Sequence, residues 1–598
     1  MMLRKPLVSI VVLVLLMPQP GLGADLSPNR WKPAEKTLAE QRELKPWPPD
    51  ARTIEGKSSL VAATMSPIAI HAGIEALRQG GTAADAAATV ALTQITTALG
   101  SYVSYGGILE LVYYDAKSGK VSSLNAGWNS YLVETDPESI PVDDLGPLAF
   151  GIKPTEGAQG RKTLVPGFMA GIEAMHKRFG HLPFKELFAP AIWYAEHGVA
   201  ISPITETFFK SREKFLSRTA EGRAFMNQAG DGVPKSGDRF VQTDLAKTLR
   251  AVAANGSQYM YTGPWGQHYV EAVQREGGKA TIEDMKRYQP FWEEPLCTTF
   301  FGHTIYVPGK SSDDAHQLLE ALNLAEALKL DQMGPYGKDP KAFRLLTQIV
   351  RKAVADNYTA QYMSQHGMKS SREDNITKAY AKNAASLIAA QKPDSDPAPG
   401  PGSPHHSDAV VVIDRWGNVA ALVHTINTVL WGTTGIVVDG VPIADAAGFQ
   451  QARLSGVKPG DPVPMDMTPV IAMTGDKPTL AIASIGESLG PETVRLMVTI
   501  LANHLDPLAA MAEPPMLMNA RPLKEGETFM TVPEAIPEGA YDPGFLQLLQ
   551  QSGVRVEEKP KQEVSAIKGT AVLATIDLQG GVLRSVETPG VFGFAAAY

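Results

Sequence analysis

The sequence has almost no cysteine and no dense run of positive charge. Cys297 is the only cysteine in 598 residues, which excludes an internal disulfide and the zinc sites built from paired cysteines. Aspartate and glutamate number 63 against 55 lysines and arginines, giving a formal net charge of −8. The basic surface that nucleic-acid binding requires is therefore not expected. Cys297 itself, in "EEPLCTTFFG", is interpreted as a small apolar residue near a strand rather than a nucleophile.

Long hydrophobic runs are also scarce, and the one near the start is short. In "MMLRKPLVSIVVLVLLMPQPGLGADL", Arg4 and Lys5 precede an apolar run at residues 7–17, and prolines and small residues follow it. This pattern is typical of a secretory signal peptide, whereas a membrane-spanning helix needs about 20 apolar residues. We predict a signal peptide at 1–24 and a periplasmic or secreted protein with no stable membrane span. An N-terminal anchor is the alternative interpretation.

Proline is concentrated in one segment, residues 392–406. This segment, "KPDSDPAPGPGSPHH", contains five prolines, so it cannot form regular structure. Ser407 follows it at once, and "DAVVVIDRWGNVAALVHTI" then predicts two strands joined by a turn. The chain is thereby divided into a helix-rich part, 25–406, and a strand-rich part, 407–598.

The hydroxyl at this junction has two interpretations. The segment is either a plain linker or the end of a precursor that cuts itself before Ser407. In the second case the Ser407 hydroxyl attacks the carbonyl of His406, and hydrolysis of the ester frees an α-amine with a pKa of about 8. That amine can serve as the general base for its own hydroxyl. A metal site at His405 and His406 is a weaker alternative, because neighbouring residues of an extended chain point in opposite directions.

Five motifs occur in the order found in one known family. They are "SPIAIHAGIEALRQGGTAADAA", "VPGFMAGIEAMHKRFGHLPFKELFAPAIWYAEHGVAISP", "GGKATIEDMKRYQPFWEEPL", "FGHTIYVPG" and "VVVIDRWGNVAALVHTINT". On these motifs the chain resembles the gamma-glutamyltranspeptidase family of N-terminal-nucleophile hydrolases. The resemblance implies an α+β fold, a four-layer α/β/β/α sandwich, and no cofactor or metal. It also implies a precursor that yields a large subunit, 25–406, and a small subunit, 407–598, and that acts on a small amide or peptide.

The same resemblance implies the catalytic residues. The cleaved bond falls between His406 and Ser407, with Ser407 as nucleophile where the family has Thr. Thr425 and Asn427 lie 18 and 20 residues further on, where the family places a Thr that tunes the nucleophile and an Asn that contacts the acyl group. In "AIASIGESLGPE", Gly486 and Glu487 take the two positions whose backbone N–H groups form the oxyanion hole.

The residues that read a γ-glutamyl group are mostly replaced. In "SLNAGWNSY" Gly127 or Trp128 stands where the family has a carboxylate-binding Arg. Met465 and Asp466 replace two serines near that carboxylate. Among the residues that hold the α-amine, Asp445 is the one candidate left. Since an Arg fork is the natural partner of a carboxylate, and since Asp466 and Glu487 add negative charge, we predict an amide hydrolase or acyltransferase with altered acyl specificity.

Two other functions stay open at this stage. One is a genuine γ-glutamyltransferase or glutathione hydrolase with an unusual clamp. The other is a catalytically inactive homologue that binds a ligand. Loss of the Arg and the presence of Glu487 favour the inactive homologue over the genuine transferase, whereas Ser407, Thr425 and Asn427 favour an active enzyme.

Overall fold

Two seven-stranded antiparallel sheets form the centre of the fold. The computed structural model describes residues 23–45, 47–143, 153, 155–389, 407–519, 524 and 531–598. Sheet I contains, in spatial order, β20 (Gly593–Ala597), β2 (Leu60–Thr64), β10 (Ser407–Ile413), β11 (Val419–Thr425), β3 (Ile108–Asp115), β4 (Lys120–Ala126) and β7 (Phe291–Glu293). Sheet II contains β1 (Arg52–Gly56), β19 (Leu583–Glu587), β18 (Thr570–Ile576), β15 (Lys477–Ile485), β14 (Val470–Thr474), β9 (His303–Val307) and β8 (Leu296–Phe300).

Each sheet draws strands from both sides of the proline-rich segment. In sheet I, β10 lies between β2 and β11, and β11 pairs in turn with β3. In sheet II, β14 pairs with β9. The boundary predicted at Ser407 therefore divides the chain in sequence, while the two parts share both sheets and one set of cores.

Helices cover the outer faces of both sheets. They are α1 (Pro33–Glu43), α2 (Pro67–Arg78), α3 (Ala83–Thr97), α4 (Phe168–Phe179), α5 (Ala189–His197), α6 (Pro203–Leu216), α7 (Ala220–Met226), α8 (Thr243–Asn255), α9 (Gln258–Tyr261), α10 (Pro264–Arg275), α11 (Ile282–Arg287), α12 (Asp313–Ala327), α13 (Pro340–Gln365), α14 (Arg372–Asn375), α15 (Lys378–Ala389), α16 (Ala446–Phe449), α17 (Gln451–Leu454), α18 (Leu489–Met497), α19 (Pro507–Ala512), α20 (Pro543–Gln551) and α21 (Lys561–Ile567). Three small two-stranded pairs complete the structure: β5 (Val199–Ala200) with β6 (Arg239–Phe240), β12 (Val437–Val438) with β13 (Val441–Pro442), and β16 (Glu534–Pro537) with β17 (Val556–Lys559).

Three buried clusters separate these layers. One lies between sheet I and helices that include α2, α3 and α4. A second lies between sheet II and helices that include α12, α13 and α18. The third lies between the sheets and contains Ala409, Val423 and Ile471, one from each of three strands. The predicted four-layer α/β/β/α sandwich is confirmed.

Local sequence signals and observed elements agree at the hairpins. Gly417 adopts a positive φ in the turn between β10 and β11, where the sequence predicts two strands joined by a turn, and Gly119, Gly475 and Gly581 do so in three further hairpin turns. Glycine adopts this conformation without steric cost. Cys297 lies on β8 and is exposed. In the part of the chain that the structure describes, no helix is both long and apolar enough to cross a membrane.

Candidate active site

Ser407 starts β10 and lies opposite Thr425 at the end of β11. Side chains alternate between the faces of a strand, and Ala409 and Val411 belong to the core between the sheets. Ser407 and Thr425 therefore share the inter-sheet face. Ser407 is only 5% exposed, so the candidate nucleophile is largely shielded from water. His406, on the other side of the predicted cleavage point, lies outside the described residues.

Thr425 and Asn427 are connected, as their spacing suggested. The Asn427 N–H donates to Thr425 Oγ1 at 2.8 Å, and Asn427 has a φ of 51°. This left-handed conformation, which Asn tolerates better than most residues, turns the chain sharply after β11. The Asn427 amide then donates to both carboxylate oxygens of Asp466, at 3.0 and 3.2 Å. Three of the predicted site residues thus form one hydrogen-bonded group.

Arg453 is a member of this site that the sequence did not reveal. Its guanidinium contacts Asp466 at 2.7 Å, and both side chains are mostly buried. The expectation that Asp466 simply reverses the local charge is therefore incomplete, because a guanidinium compensates this carboxylate. Arg453 lies on the short helix α17, outside the motifs that carry the family resemblance, so sequence spacing gave no signal for it.

Met465 occupies the space that a side chain at position 127 would need. A Cβ on Gly127 would collide with Met465 Sδ and lie 3.0 Å from Asn125 Oδ1. The Met465 backbone is held on both sides, since its N–H donates to the Ser311 carbonyl at 3.0 Å and its own carbonyl accepts from Asp313 at 2.8 Å. Glycine at position 127 and methionine at position 465 therefore fit together: the Met465 side chain fills the space that a carboxylate-binding side chain at position 127 would need.

Trp128 packs into the inter-sheet core beside these residues. It is 3% exposed, and its Nε1–H has no hydrogen-bond partner among the described residues. Its carbonyl accepts from the Val463 N–H at 2.8 Å, which ties it to the segment that carries Met465. Trp128 and Met465 both belong to the core between the sheets, and their contact with an acyl group stays a prediction.

Asp445 lies next to this loop, but its carboxylate is already engaged. It accepts from Thr428 at 2.7 Å and from Thr433 at 2.8 Å. Thr433 in turn contacts Asp143, which bonds the fully buried Lys162 at 2.8 Å. This network anchors the segment that follows Asn427. Asp445 therefore has a clear structural task, and the role in binding a substrate amine stays a prediction.

Gly486 and Glu487 lie between β15 and α18, at the junction predicted for the oxyanion hole. Gly486 has a φ of 92°, and a Cβ there would lie 2.8 Å from the Lys568 carbonyl, so the position favours glycine. Glu487 Oε2 has no partner among the described residues. Burial raises the pKa of Glu487 to about 8. Its side chain is therefore mostly neutral at pH 7, which removes the objection that a carboxylate would oppose an oxyanion.

Asp466 and Glu487 lie in the same region of the structure. Burial raises the pKa of Tyr358, and nearby charges act on the same phenol. Those charges belong to Arg453, Asp314, Glu487 and Asp466. Glu487 and Asp466 are therefore both close enough to act on the same side chain, so the loop before α18 lies in the region of the Asn427–Asp466–Arg453 group.

Two antiparallel sheets stacked between helical layers give the four-layer fold of the N-terminal-nucleophile hydrolases. The family profile described as gamma-glutamyltranspeptidase matches residues 69–582. The chain belongs to the gamma-glutamyltranspeptidase family, whose members are hydrolases and transferases.

Individual relatives have two kinds of names. The chain is 28% identical over 464 residues to the glutathione hydrolase proenzyme of Pseudomonas aeruginosa, covering 72% of this chain and 79% of that protein. It is 26% identical over 507 residues to the acylase ACY 1 proenzyme of a Pseudomonas strain, covering 83% and 87%. Among solved structures it resembles the cephalosporin acylase from Bacillus halodurans, with a TM-score of 0.74, 21% identity, and coverage of 92% and 98%. That last likeness supports the fold.

Proposed function

We propose that this chain is a self-processing amide hydrolase or acyltransferase that uses Ser407 as its N-terminal nucleophile. The observation that carries the proposal is the placement of Ser407 opposite Thr425, whose hydroxyl is anchored by the Asn427 N–H. The proenzyme names of the relatives support processing. The predicted cleavage lies between His406 and Ser407, giving a small subunit of residues 407–598.

Cleavage supplies the general base for the proposed reaction at Ser407. The free α-amine takes the proton of its own hydroxyl, and the hydroxyl oxygen attacks the amide carbonyl of the substrate. The tetrahedral intermediate collapses to an ester on Ser407 while the leaving amine takes the proton. Water or an acceptor amine then attacks the ester and restores the hydroxyl. Thr425 supports the first step because its hydroxyl lies directly across from the nucleophile.

Backbone N–H groups at Gly486 and Glu487 are proposed to stabilise the oxyanion. Donors of this kind act through the main chain, so a change of side chain leaves them in place. The neutral form of Glu487 adds no negative charge beside the oxyanion. This argument favours an active enzyme over the inactive homologue.

We further propose that the acyl group differs from γ-glutamyl. Met465 fills the space beside Gly127 where a clamping side chain would extend. Arg453 is the observation that most favours a genuine glutathione hydrolase, since a guanidinium is a natural carboxylate partner. Asp466, however, already occupies that guanidinium at 2.7 Å. The acylase relative gives the altered specificity further support. Export to the periplasm or beyond is proposed on the N-terminal pattern alone.

Mass spectrometry of the purified protein tests the central claim. A denaturing gel should show two chains, and the intact mass of the smaller one should begin at Ser407. Ser407→Ala should give a single chain without turnover. Ser403→Ala, a matched serine in the same proline-rich segment, should process normally. A single uncut wild-type chain that hydrolyses amides would refute the proposal.

A further inference from the structure

Glu110 is a buried carboxyl group that the catalytic scheme does not use. It lies in the middle of β3 and is 0% exposed. Both of its carboxylate oxygens lack a hydrogen-bond partner among the described residues. Buried polar groups are nearly always paired, and each exception calls for a physical explanation. Leaving such a group unpaired costs stability, so Glu110 has a task other than holding the fold together.

Sheet register places Glu110 close to the nucleophile. Its cross-strand partners are Val423 and Asn125, and Ala409 continues the same row on β10. The next row contains Ser407 and Thr425. From ordinary strand spacings, two strands and two residues separate the Cα atoms of Glu110 and Ser407 by roughly 12 Å. Val423 and Ala409 belong to the core between the sheets, so Glu110 faces the same layer as the nucleophile.

Other carboxyl groups converge on Glu110 from neighbouring elements. Burial is the largest cause that raises the pKa of Glu110 well above its ordinary value, and negative neighbours raise it further. These neighbours are Glu293 on β7, Asp466 in the loop before β14, and Asp314 and Asp313 on α12.

Two arginines lie near these carboxyl groups, and each already forms an ion pair. Arg453 bonds Asp466 at 2.7 Å, and Arg372 bonds Asp313 at 2.8 Å. Glu110 therefore faces an acidic environment in which both oxygens are still free to accept.

One member of this acidic group lies beside the helix that follows the proposed oxyanion-hole residues. Asp314, on α12, shares a small cavity with Thr468, Gly490 and Thr493. Gly490 and Thr493 are on α18, the helix that follows Gly486 and Glu487.

We propose that Glu110 and the surrounding carboxyl groups form a subsite for a cationic group, an ammonium or a guanidinium, on the acyl part of the substrate. The inference rests on the proposed function. It names the substrate class as amides whose acyl chain is several atoms long and ends in a positive charge. A single carboxylate with two free oxygens matches a guanidinium fork or an ammonium. A divalent ion would need several oxygens within bonding distance of one point, and among the described residues no carboxyl oxygens around Glu110 lie close enough together to provide this.

Binding of such a cation has a proton balance that can be measured. Burial and the neighbouring carboxyl groups raise the pKa of Glu110. Pairing with a cation lowers that pKa again, so cation binding should release protons to the buffer. Affinity for the cation should therefore rise with pH. Its neighbours Asp466 and Asp313 keep their arginine partners in both states.

Three anilides that differ in the charge of the acyl group test the proposal with the processed protein. They are the p-nitroanilides of 5-aminopentanoic acid, hexanoic acid and glutaric acid. The expected order of kcat/KM is cationic, neutral, anionic, with at least tenfold between the first two. Glu110→Gln should lower the cationic-to-neutral ratio at least tenfold.

Glu320→Gln is the matched control. Glu320 is 2% exposed, one of its oxygens lacks a partner among the described residues, and burial raises its pKa, but its neighbours are Asp356 and Lys352. The ratio should not change in this variant. Glu110→Leu gives a second test, because replacing an unpaired buried acid by an apolar residue should raise Tm while removing the cationic preference.

Calorimetry with butylguanidinium chloride gives a readout that needs no turnover. Wild-type protein should bind it and release protons, as judged from buffers of different ionisation enthalpy, and Glu110→Gln should release fewer. Glu110→Gln should bind at least tenfold more weakly. An unchanged substrate ratio and equal butylguanidinium affinity in both proteins would overturn the subsite, even if amides are hydrolysed. Binding that requires added Ca²⁺ or Zn²⁺ would overturn it in favour of a metal site. Absence of turnover and of an ester on Ser407 would instead refute the proposed function, and butylguanidinium binding would still decide the subsite.

Discussion

Protonation of Glu487 should control the alkaline side of the pH profile. Burial raises the pKa of this side chain to about 8, and its backbone N–H is a proposed oxyanion donor. The neutral acid is compatible with a developing negative charge, whereas the carboxylate opposes it. Activity that depends on the neutral acid is present below pH 8 and is lost as pH rises through about 8.

The expected size of the effect follows from Coulomb's law. Two like charges about 4–5 Å apart repel by about 3–4 kcal/mol at an effective dielectric constant of about 20. Because about 1.4 kcal/mol is a factor of ten, the ionised form should be two to three orders of magnitude slower. Activity then follows the fraction of neutral Glu487, which falls from about ten-elevenths at pH 7 to about one-eleventh at pH 9, given a pKa of about 8.

The Ser407 amine imposes the opposite dependence. It acts as a base only when neutral, and its reference pKa is also about 8. The two factors nearly cancel in the wild type, so kcat/KM at pH 9 should be about equal to that at pH 7. Glu487→Gln removes the alkaline loss, and its ratio of kcat/KM at pH 9 to pH 7 should be about ten.

A chromogenic amide that the wild type hydrolyses, assayed from pH 6 to 10, measures this ratio. Glu538→Gln, at an exposed glutamate of the same C-terminal part, is the control and should retain the wild-type profile. A Glu487→Gln enzyme that still loses activity above pH 8 would show that another group causes the alkaline limb. Glu487 would then not face the oxyanion.

Two further predictions concern specificity and packing. Glutathione and γ-glutamyl anilides should be poor substrates. Each lost charge-assisted hydrogen bond to the α-carboxylate costs roughly 1.5–3 kcal/mol, or about ten- to a hundredfold in kcat/KM. Turnover of γ-glutamyl p-nitroanilide at the level of the best acyl group in the panel would contradict this prediction. Gly127→Ala should lower the free energy of unfolding by about 1–3 kcal/mol, because the added Cβ collides with Met465. In a Met465→Ala background the same substitution should have little effect on the free energy of unfolding. Additive effects in a double-mutant cycle measured by urea denaturation would refute the contact.

Much of the local structure could be predicted from the sequence because its signals are short-range. The hairpin turns carry glycine, and the flanking runs are apolar, so strands such as β14 and β15 follow from pattern alone. The 26-residue helix α13 was not predicted, since polar residues interrupt its apolar face. The order of sheet I could not be predicted either. It depends on pairings between residues hundreds of positions apart, such as β2 with β10, and no local pattern encodes them.

The candidate site shows the same division. Ser407, Thr425 and Asn427 follow from motif spacing, and the structure brings them together. Arg453 and Glu110 could not be predicted in the same way. Arg453 reaches Asp466 from the short helix α17, which lies outside the recognised motifs. Glu110 lies in the apolar run "ILELVYY", where one polar residue is usually a solvent-facing position of a half-exposed strand. Its complete burial follows only from the second sheet stacked above it.

The substitutions around the proposed acyl-binding region depend on one another because they contact one another. Met465 fills the space beside Gly127, so a clamping side chain cannot be restored there by a single substitution. The next residue, Asp466, bonds both Asn427 and Arg453, and the segment is pinned through its backbone to Ser311 and Asp313. Asp466 and Asp313 belong to the carboxyl groups that act on Glu110. One short segment therefore does two things: Met465 fills the space for a carboxylate-binding side chain at position 127, and Asp466 adds a carboxylate to the group around Glu110. The loss of binding to an anionic acyl group and the proposed binding of a cationic one are two consequences of the same packing. The proposed nucleophile Ser407 and its partner Thr425 lie on neighbouring strands of sheet I and are linked to that segment through Asn427. Because their own positions are set by the sheet, we expect the proposed chemistry to be retained while the specificity changes.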